Sequence, residues 1–349
     1  MSKNKRLYGR WILTMLVGIG IFLLCLFPLR ALLNYHEESH LFRWTTYYFK
    51  EQMTSWQGIQ EYVASFIVQF FYVAAIGSLI LALMVMGFQR LTWWLLKRVG
   101  RWEVPLYLLS FIPALGLFFY LFIPKEYLNN EQFREVVTYD YLERTHQWEA
   151  ILKQTKSDPP KTECGIWCTN YALAMTGKLD QMESYPQCGP QGLLNDALQK
   201  PSFALYSMSD IYFQLGCVNE AERIAFNAKQ YLPNEHKSGR LYRRLAEANI
   251  VNGHYDIAAK YLHFLESTIF YRNFAKRWLS DMGDEAKVEA AYGRMRQLRQ
   301  KENRWLTSNA KEIMLLRLVE ENKENQLAFN YLVAYRLLQL GYIQNDFER

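Results

Sequence analysis

The sequence predicts an all-α protein, three transmembrane helices followed by a tetratricopeptide-like α-solenoid. Three long apolar runs, each without a charge, occupy the first third of the chain. The rest shows helical rather than strand periodicity, and its glycines fall at intervals that suit the ends of paired helices. A mean hydropathy of −0.18 therefore averages a very apolar first third with a polar remainder.

A basic tail, residues 1–10, precedes the first run, Trp11 to Leu29. At 1.5 Å of rise per residue, about 20 residues cross a hydrocarbon core of ~30 Å, so this run predicts a span, assigned to residues 11–33. It is too long for an ordinary signal peptide and no small-x-small cleavage site follows it, which makes it an uncleaved anchor. Residues 34–62 then form an interfacial loop, and Val63 to Phe88 supplies a second span with length to spare for tilt. In this span Ala74, Ser78 and Ala82 recur at fourfold spacing, which lets helix backbones approach closely, and Gln69 is a lone polar residue of the kind that bridges helices. A basic loop, 89–103, leads to a third span, 104–123, and residues 124–349 make the remaining domain.

Lys and Arg are retained on the cytoplasmic side of a membrane, and their placement here is asymmetric. Lys3, Lys5, Arg6 and Arg10 lie in the tail, and Arg90, Lys97, Arg98 and Arg101 in the 89–103 loop. The 34–62 loop has only Arg43 and Lys50, beside Glu37, Glu38, Glu51 and Glu61. The pattern predicts a cytoplasmic N-terminus and, after three crossings, a domain outside. Arg30, at the outer end of span one, would snorkel to the interface. The tail carries +4 and the basic loop +3, so the net charge of +6 leaves about −1 for everything else. Phosphate backbones are bound by basic surfaces, so nucleic acid is not an expected partner, whereas the lipid bilayer is.

Cys25 falls in span one, while Cys164, Cys168, Cys188 and Cys217 fall in the outer domain, where a disulfide or buried thiols are both open; four cysteines allow three pairings. No Cys-x-x-Cys pair or His-x3-His completes a zinc site, and no cofactor is indicated.

In the outer domain, Leu205, Met208, Ser209, Tyr212, Gly216, Ala221, Ala225, Ala228 and Pro233 occupy the positions that define a tetratricopeptide-type helix hairpin. Small residues at Ser209 and Ala221 let the two helices cross closely, Gly216 ends the first and Pro233 stops the second. Tyr242, Leu245, Ala246, Asn249, Gly253, Tyr255, Ala258 and Leu262 repeat the pattern. Asn170, Leu173 and Gly177 form a weaker first helix, Trp148, Ile151 and Leu152 part of another, and Ala328, Leu332, Leu337 and Gly341 a closing helix. Stacked hairpins form a curved solenoid whose groove accepts a peptide or a helix, which predicts an interaction protein. Helical position nominates Tyr206, Asp210, Arg243 and Glu247 as groove residues. Arg299, Lys301 and Arg304 read as a solvated helix face.

One motif carries a catalytic pattern. His36, Glu37, Glu38, Ser39 and His40 spell H-E-x-x-H, in which two His one turn apart on a helix bind Zn²⁺ and the Glu acts as general base. Glu61 would be the third ligand, and the alternative function is a zinc metalloprotease. Against it, Leu41, Phe42, Trp44, Tyr47, Tyr48 and Phe49 follow directly, an aromatic-rich segment suited to a membrane interface.

YHEESHLFRWTTYYFKE and EYVASFIVQFFYVAAIGSLILAL, within Tyr35 to Leu83, resemble the N-terminal part of an uncharacterised family of multi-pass membrane proteins from Bacteroides-type bacteria. NYALAMTGKLDQM, GPQGLL, YRRLAEANIVNGHYDIAAKYL and AFNYLVAYRLL, within Trp148 to Tyr342, resemble that family's C-terminal helical-repeat region. The family carries a domain of unknown function, so the resemblance implies an envelope location and a repeat architecture but no activity. Its members share Tyr-x-x-Glu, matched by Tyr35 and Glu38, without a His at position 40, and they usually have more than three spans. The expected placement is the inner membrane, with a periplasmic domain holding an envelope protein or peptide.

Overall fold

A computed structural model of the chain describes residues 3–99, 103–195, 204–232, 237–301 and 310–347, and every regular element among them is a helix. Pro233, Arg101, Arg304 and Trp305 lie outside the described residues. The chain divides into two compact units, Met1–Phe42 with Thr46–Phe133, and Arg43–Thr45 with Arg134–Arg349.

The first unit contains α1 (Lys3–Leu26), α2 (Arg30–Ser39), α3 (Thr46–Gln52), α4 (Trp56–Val68), α5 (Ala74–Val99), α6 (Glu103–Leu109), α7 (Phe111–Phe122) and α8 (Lys125–Asn129). Three stretches are long and apolar enough to cross a membrane: Tyr8–Leu26, Ala74–Arg98 and Val104–Phe122. The third agrees with the expected 104–123 to one residue, and the first two differ from the expected bounds. Pro28 has no N–H for the Leu24 carbonyl, so α1 stops at Leu26 instead of running on to residue 33, and the Leu29 N–H takes that carbonyl at 3.0 Å. The expected second span is cut in two. Gln69 turns its amide back onto the Phe66 carbonyl at 2.8 Å, Gln69–Tyr72 tightens into a 3₁₀ turn, and Val73 is extended. The apolar helix therefore starts at Ala74, and Val63–Val68 belong to α4. Pro113 likewise leaves the Leu109 carbonyl without its helical donor, and the helix breaks at Ser110 between α6 and α7.

Helix α1 packs along α5, and α5 along α7. Ser78 and Ala82 are buried on the small-residue face of α5, as their spacing predicted. Cys25, Leu32, Leu33, Phe71, Leu81 and Phe118 belong to the core of this unit. Ile12, Leu16 and Ile19 on α1, Leu79 and Leu83 on α5, and Ile112 on α7 are all exposed. Apolar exposure on this scale is what helices facing hydrocarbon show.

The second unit runs from α9 (Glu131–Arg144), which begins at the boundary, through α10 (Trp148–Ser157), α11 (Glu163–Met175), α12 (Ala204–Leu215), α13 (Val218–Gln230), α14 (Gly239–Asn252), α15 (Tyr255–Glu266), α16 (Arg272–Asp281), α17 (Glu285–Leu298), α18 (Ala310–Glu321) and α19 (Gln326–Phe347). One turn recurs at four helix ends. His146, Gly177, Gly216 and Gly253 all have positive φ, between 54° and 96°. In each case the following residue donates its N–H back across the turn: Gln147 to Leu142 O (2.9 Å), Lys178 to Leu173 O (2.7 Å), Cys217 to Tyr212 O (2.9 Å) and His254 to Asn249 O (2.8 Å). This is the Schellman closure, which satisfies the last carbonyls of one helix and reverses the chain into the next element. That element is α10, α13 or α15 in three cases and a short 3₁₀ stretch, Leu179–Ser184, after Gly177.

Ser209 and Ala221 meet as expected, the Ser209 hydroxyl donating to the Ala221 carbonyl at 2.8 Å where α12 crosses α13. Helix α14 packs between α13 and α15. The tripeptide Arg43–Thr45 belongs to this unit: the Trp44 N–H donates to Ser267 O at 2.7 Å, and the Arg43 guanidinium lies 4.3 Å from the centre of the Phe264 ring.

The four turns differ in what a side chain would meet. A Cβ at Gly216 would run into the Leu298 carbonyl oxygen, while Gly253 faces open space. Gly253→Ala is expected to cost about 1 kcal/mol, from the left-handed backbone alone. Gly216→Ala is expected to cost ~2 kcal/mol or more, because the contact with α17 is also disturbed. His146→Gly is expected to stabilise by roughly 0.5–1 kcal/mol by removing a Cβ from the same conformation. Denaturant unfolding followed by circular dichroism would rank the three.

Candidate functional site

The H-E-x-x-H residues lie at the end of α2. That helix stops at Ser39, and His40 has extended backbone (φ −134°, ψ 122°). The motif thus loses, at its last residue, the continuous helical face on which two-His zinc ligation depends. A ring nitrogen of His36 lies 3.0 Å from Phe122 O, and Nδ1 of His40 lies 3.0 Å from His36 O. Burial holds the His36 imidazole below its usual pKa, partly opposed by that carbonyl. Glu37 is buried, while Glu61 stands on α4 with its carboxylate accepting from Gln57 at 3.1 Å. No group of three or more His, Cys, Asp or Glu is placed to hold a metal ion among the described residues. None of the five cysteines is in a disulfide; of the four in the second unit, Cys164, Cys168 and Cys217 are buried and Cys188 is half-buried.

The richest polar constellation is inside the second unit. Arg240 reaches Asp140 Oδ2 at 2.9 Å, Glu143 Oε2 at 3.1 Å and Asp210 Oδ2 at 2.5 Å. Arg244 donates to Asp210 Oδ1 at 2.6 and 3.1 Å and pairs with Glu247 at 2.9 Å. Arg243 joins Glu247 at 2.9 Å. Two periodicities build the cluster. Asp140 and Glu143 are three apart on α9, and Arg240, Arg243, Arg244 and Glu247 follow one face of α14 at helical spacing. Aromatic rings line it: Tyr206 lies 5.5 Å from the Arg240 guanidinium, Phe213 4.0 Å from that of Arg244, and Phe274 4.7 Å from that of Arg243.

The four nominated groove residues all touch this cluster, but they do not form an open wall. Tyr206 is only 1% exposed and belongs to the core, which corrects its assignment to a groove. Asp210 and Glu247 have side chains only 16% and 10% exposed and are taken up by ion pairs, whereas Arg243 is 46% exposed. Asp140, Glu143, Arg240 and Arg244 were not nominated. The charge spacing in YRRLAE marks one face of α14, but partners 97 and 100 residues away leave no local trace.

Fully ionised, four carboxylates here face three guanidiniums, and the surplus falls on Glu143. Burial, then Asp210, raises the Glu143 carboxyl well above the usual carboxylate range, with Arg240 pulling the other way. For Asp210, burial is outweighed by Arg240 and Arg244, and its pKa falls to about 2. The signs give two pH limbs. Stability from Asp210 is present above its unfolded pKa and lost as pH falls from 3.8 towards 2. Glu143 favours the fold below pH 4.5, and that contribution is lost as pH rises from 4.5 through its raised folded pKa. Glu143→Gln should therefore gain stability relative to the parent as pH rises, and gain nothing below pH 4.5. Asp210→Asn should cost about 3–5 kcal/mol by leaving Arg240 and Arg244 undercompensated. Urea unfolding across pH 3–9 would test both.

The class defined by these features is an all-helical chain with three helices apolar and long enough to span a membrane and a separate domain of helix hairpins. The chain belongs to DUF6057, a family of unknown function, which it matches over residues 6–127 and 121–341. The junction of the two matched stretches falls close to the boundary between the two units. This agrees with the expected membership in an uncharacterised family. No curated protein and no solved structure matches the chain.

Proposed function

We propose that the chain is a membrane-anchored interaction protein that presents a tetratricopeptide-like, peptide- or protein-binding solenoid on the outer face of the inner membrane. The observation that carries this reading is the recurrence of one helix-ending turn at His146, Gly177, Gly216 and Gly253. A unit that repeats one hairpin gains stability by stacking, and stacked hairpins expose long surfaces suited to extended partners. The three apolar helices support anchoring. Orientation is supported by Arg10, Arg90, Lys97 and Arg98 at the ends of α1 and α5. It is further supported by Arg43–Thr45, a tripeptide that lies between the first two apolar helices in sequence and packs within the second unit. A loop segment hydrogen-bonded to a domain lies on that domain's side of a membrane. The accessible part of the cluster is its Arg243 end, where a half-exposed guanidinium lies over Phe274. That end suits an acidic segment with an apolar anchor.

A C-terminal reporter that works only outside the cytoplasm is expected to be active, and activity only of a cytoplasmic reporter would overturn the orientation. Arg243→Glu is expected to weaken recovery of a cross-linked partner about tenfold, ~1.4 kcal/mol, with helix content unchanged. Recovery of the same partner by a chain lacking residues 124–349 would overturn the binding role.

A further inference from the structure

We infer that a cleft in the second unit, floored by Leu152 and Tyr185 and rimmed by Lys153, Lys156 and Lys178, binds a phosphate-bearing dianion. The cleft has a volume of about 510 Å³, within the range of small-ligand sites. It is formed by α10 and by the stretch that follows the turn at Gly177.

Lys153 and Lys156 stand three apart on α10, on one side of the helix. Glu149 stands four residues before Lys153, the order in which Glu and Lys pair best on a helix surface. Its carboxylate instead lies 3.0 Å from Lys178 Nζ, across the cleft. No carboxylate pairs with Lys153 or Lys156 among the described residues. Three ammonium groups therefore share one carboxylate, and two positive charges remain at the rim of one cavity. Like charges gathered in this way repel, and a group carrying two negative charges relieves both.

The site is held in shape before any ligand arrives. The backbone of Lys178 is fixed by its 2.7 Å bond to Leu173 O in the turn, and that of Tyr185 by a 3.0 Å bond to Met182 O. Lys156 Nζ lies 5.5 Å from the centre of the buried Tyr185 ring, which carries a cation on its face. Lysine binds phosphate as a point charge and needs no fixed fork, so three lysines on two elements suit a compact, many-oxygened anion better than a single planar carboxylate. The floor of Leu152 and Tyr185 leaves room for an apolar or sugar body beside the anion. A soluble phosphate monoester and the monoester headgroup of phosphatidic acid share this chemistry. The inference asks nothing of the Arg243 face and stands apart from the binding role proposed above.

The test is calorimetric titration of inorganic pyrophosphate into the full chain in phosphatidylcholine nanodiscs that carry either phosphatidic acid or phosphatidylglycerol at matched surface charge. Saturable binding is expected, weakened at least tenfold by Lys153→Ala with Lys156→Ala, unchanged by Lys229→Ala, and reduced by added salt. Glu149→Gln is expected to tighten binding, because it releases Lys178. Weaker pyrophosphate binding in the phosphatidic acid discs than in the phosphatidylglycerol discs identifies the monoester headgroup as the occupant, and equal binding a soluble ester. Absence of saturable binding, or equal binding by the double variant with unchanged circular dichroism, overturns the site.

Discussion

A single guanidinium, that of Arg240, holds three carboxylates inside the second unit, and the arrangement of the surrounding helices depends on it. Removing a charge from water costs several kcal/mol per ion, and the cost is recovered only when every partner is in place with good geometry. Asp140 and Glu143 come from α9, Asp210 from α12 and the arginines from α14, so the cluster is complete only when three helices far apart in sequence have docked in one register. Apolar packing alone tolerates a slip of one residue better than a network of fixed donors and acceptors does. We read the cluster as a register device whose value is specificity more than net stability.

Register between hairpins needs a matching device within them, and the left-handed turn provides it. His146, Gly177, Gly216 and Gly253 stop a helix at a defined residue and begin the next element two residues later, so each first helix has a fixed end. At Gly216 the turn is also a packing surface, since its carbonyl accepts from the Gln300 N–H at 3.1 Å while Leu298 closes over its Cα. The turns between α12 and α13 and between α14 and α15 were legible because glycine marks them. The turn at His146 was hidden, since His carries no such signal and its helix ends were readable only in part, from Trp148, Ile151 and Leu152.

Other features divide in the same way between local and long-range causes. The three apolar stretches were visible because an uncharged run of sufficient length has few alternatives. Their breaks at Val73 and Ser110 were not, although Pro113 stood in the sequence as a partial warning of the second, as Pro28 did of the end of α1. The groove assignment failed for Tyr206 because helical position says which residues share a face, but not whether that face meets solvent or a neighbouring helix. Asp210 and Glu247 were found for the wrong reason. Their helical positions are those of a face that carries charge, yet the charge is spent on Arg240, Arg243 and Arg244.

The two units also use polarity in opposite ways, which explains why the net charge of +6 is a poor guide to ligands. In the first unit the arginines of the apolar helices lean on aromatic faces: Arg10 lies 4.7 Å from Trp93, and Arg90 3.7 Å from Trp11. What is buried between those helices is neutral, with Thr14, Gln89, Tyr107 and Ser110 joined by hydrogen bonds. Neutral donors of this kind can tie α1, α5 and α6 together where an ion would be too costly to hold. In the second unit charge goes inside, with four carboxyl groups around three guanidiniums, and two lysines outside any ion pair among the described residues are left at a cleft. Lys153 and Lys156 follow neither pattern, since they sit on no apolar helix and, among the described residues, in no ion pair, and both line one cavity.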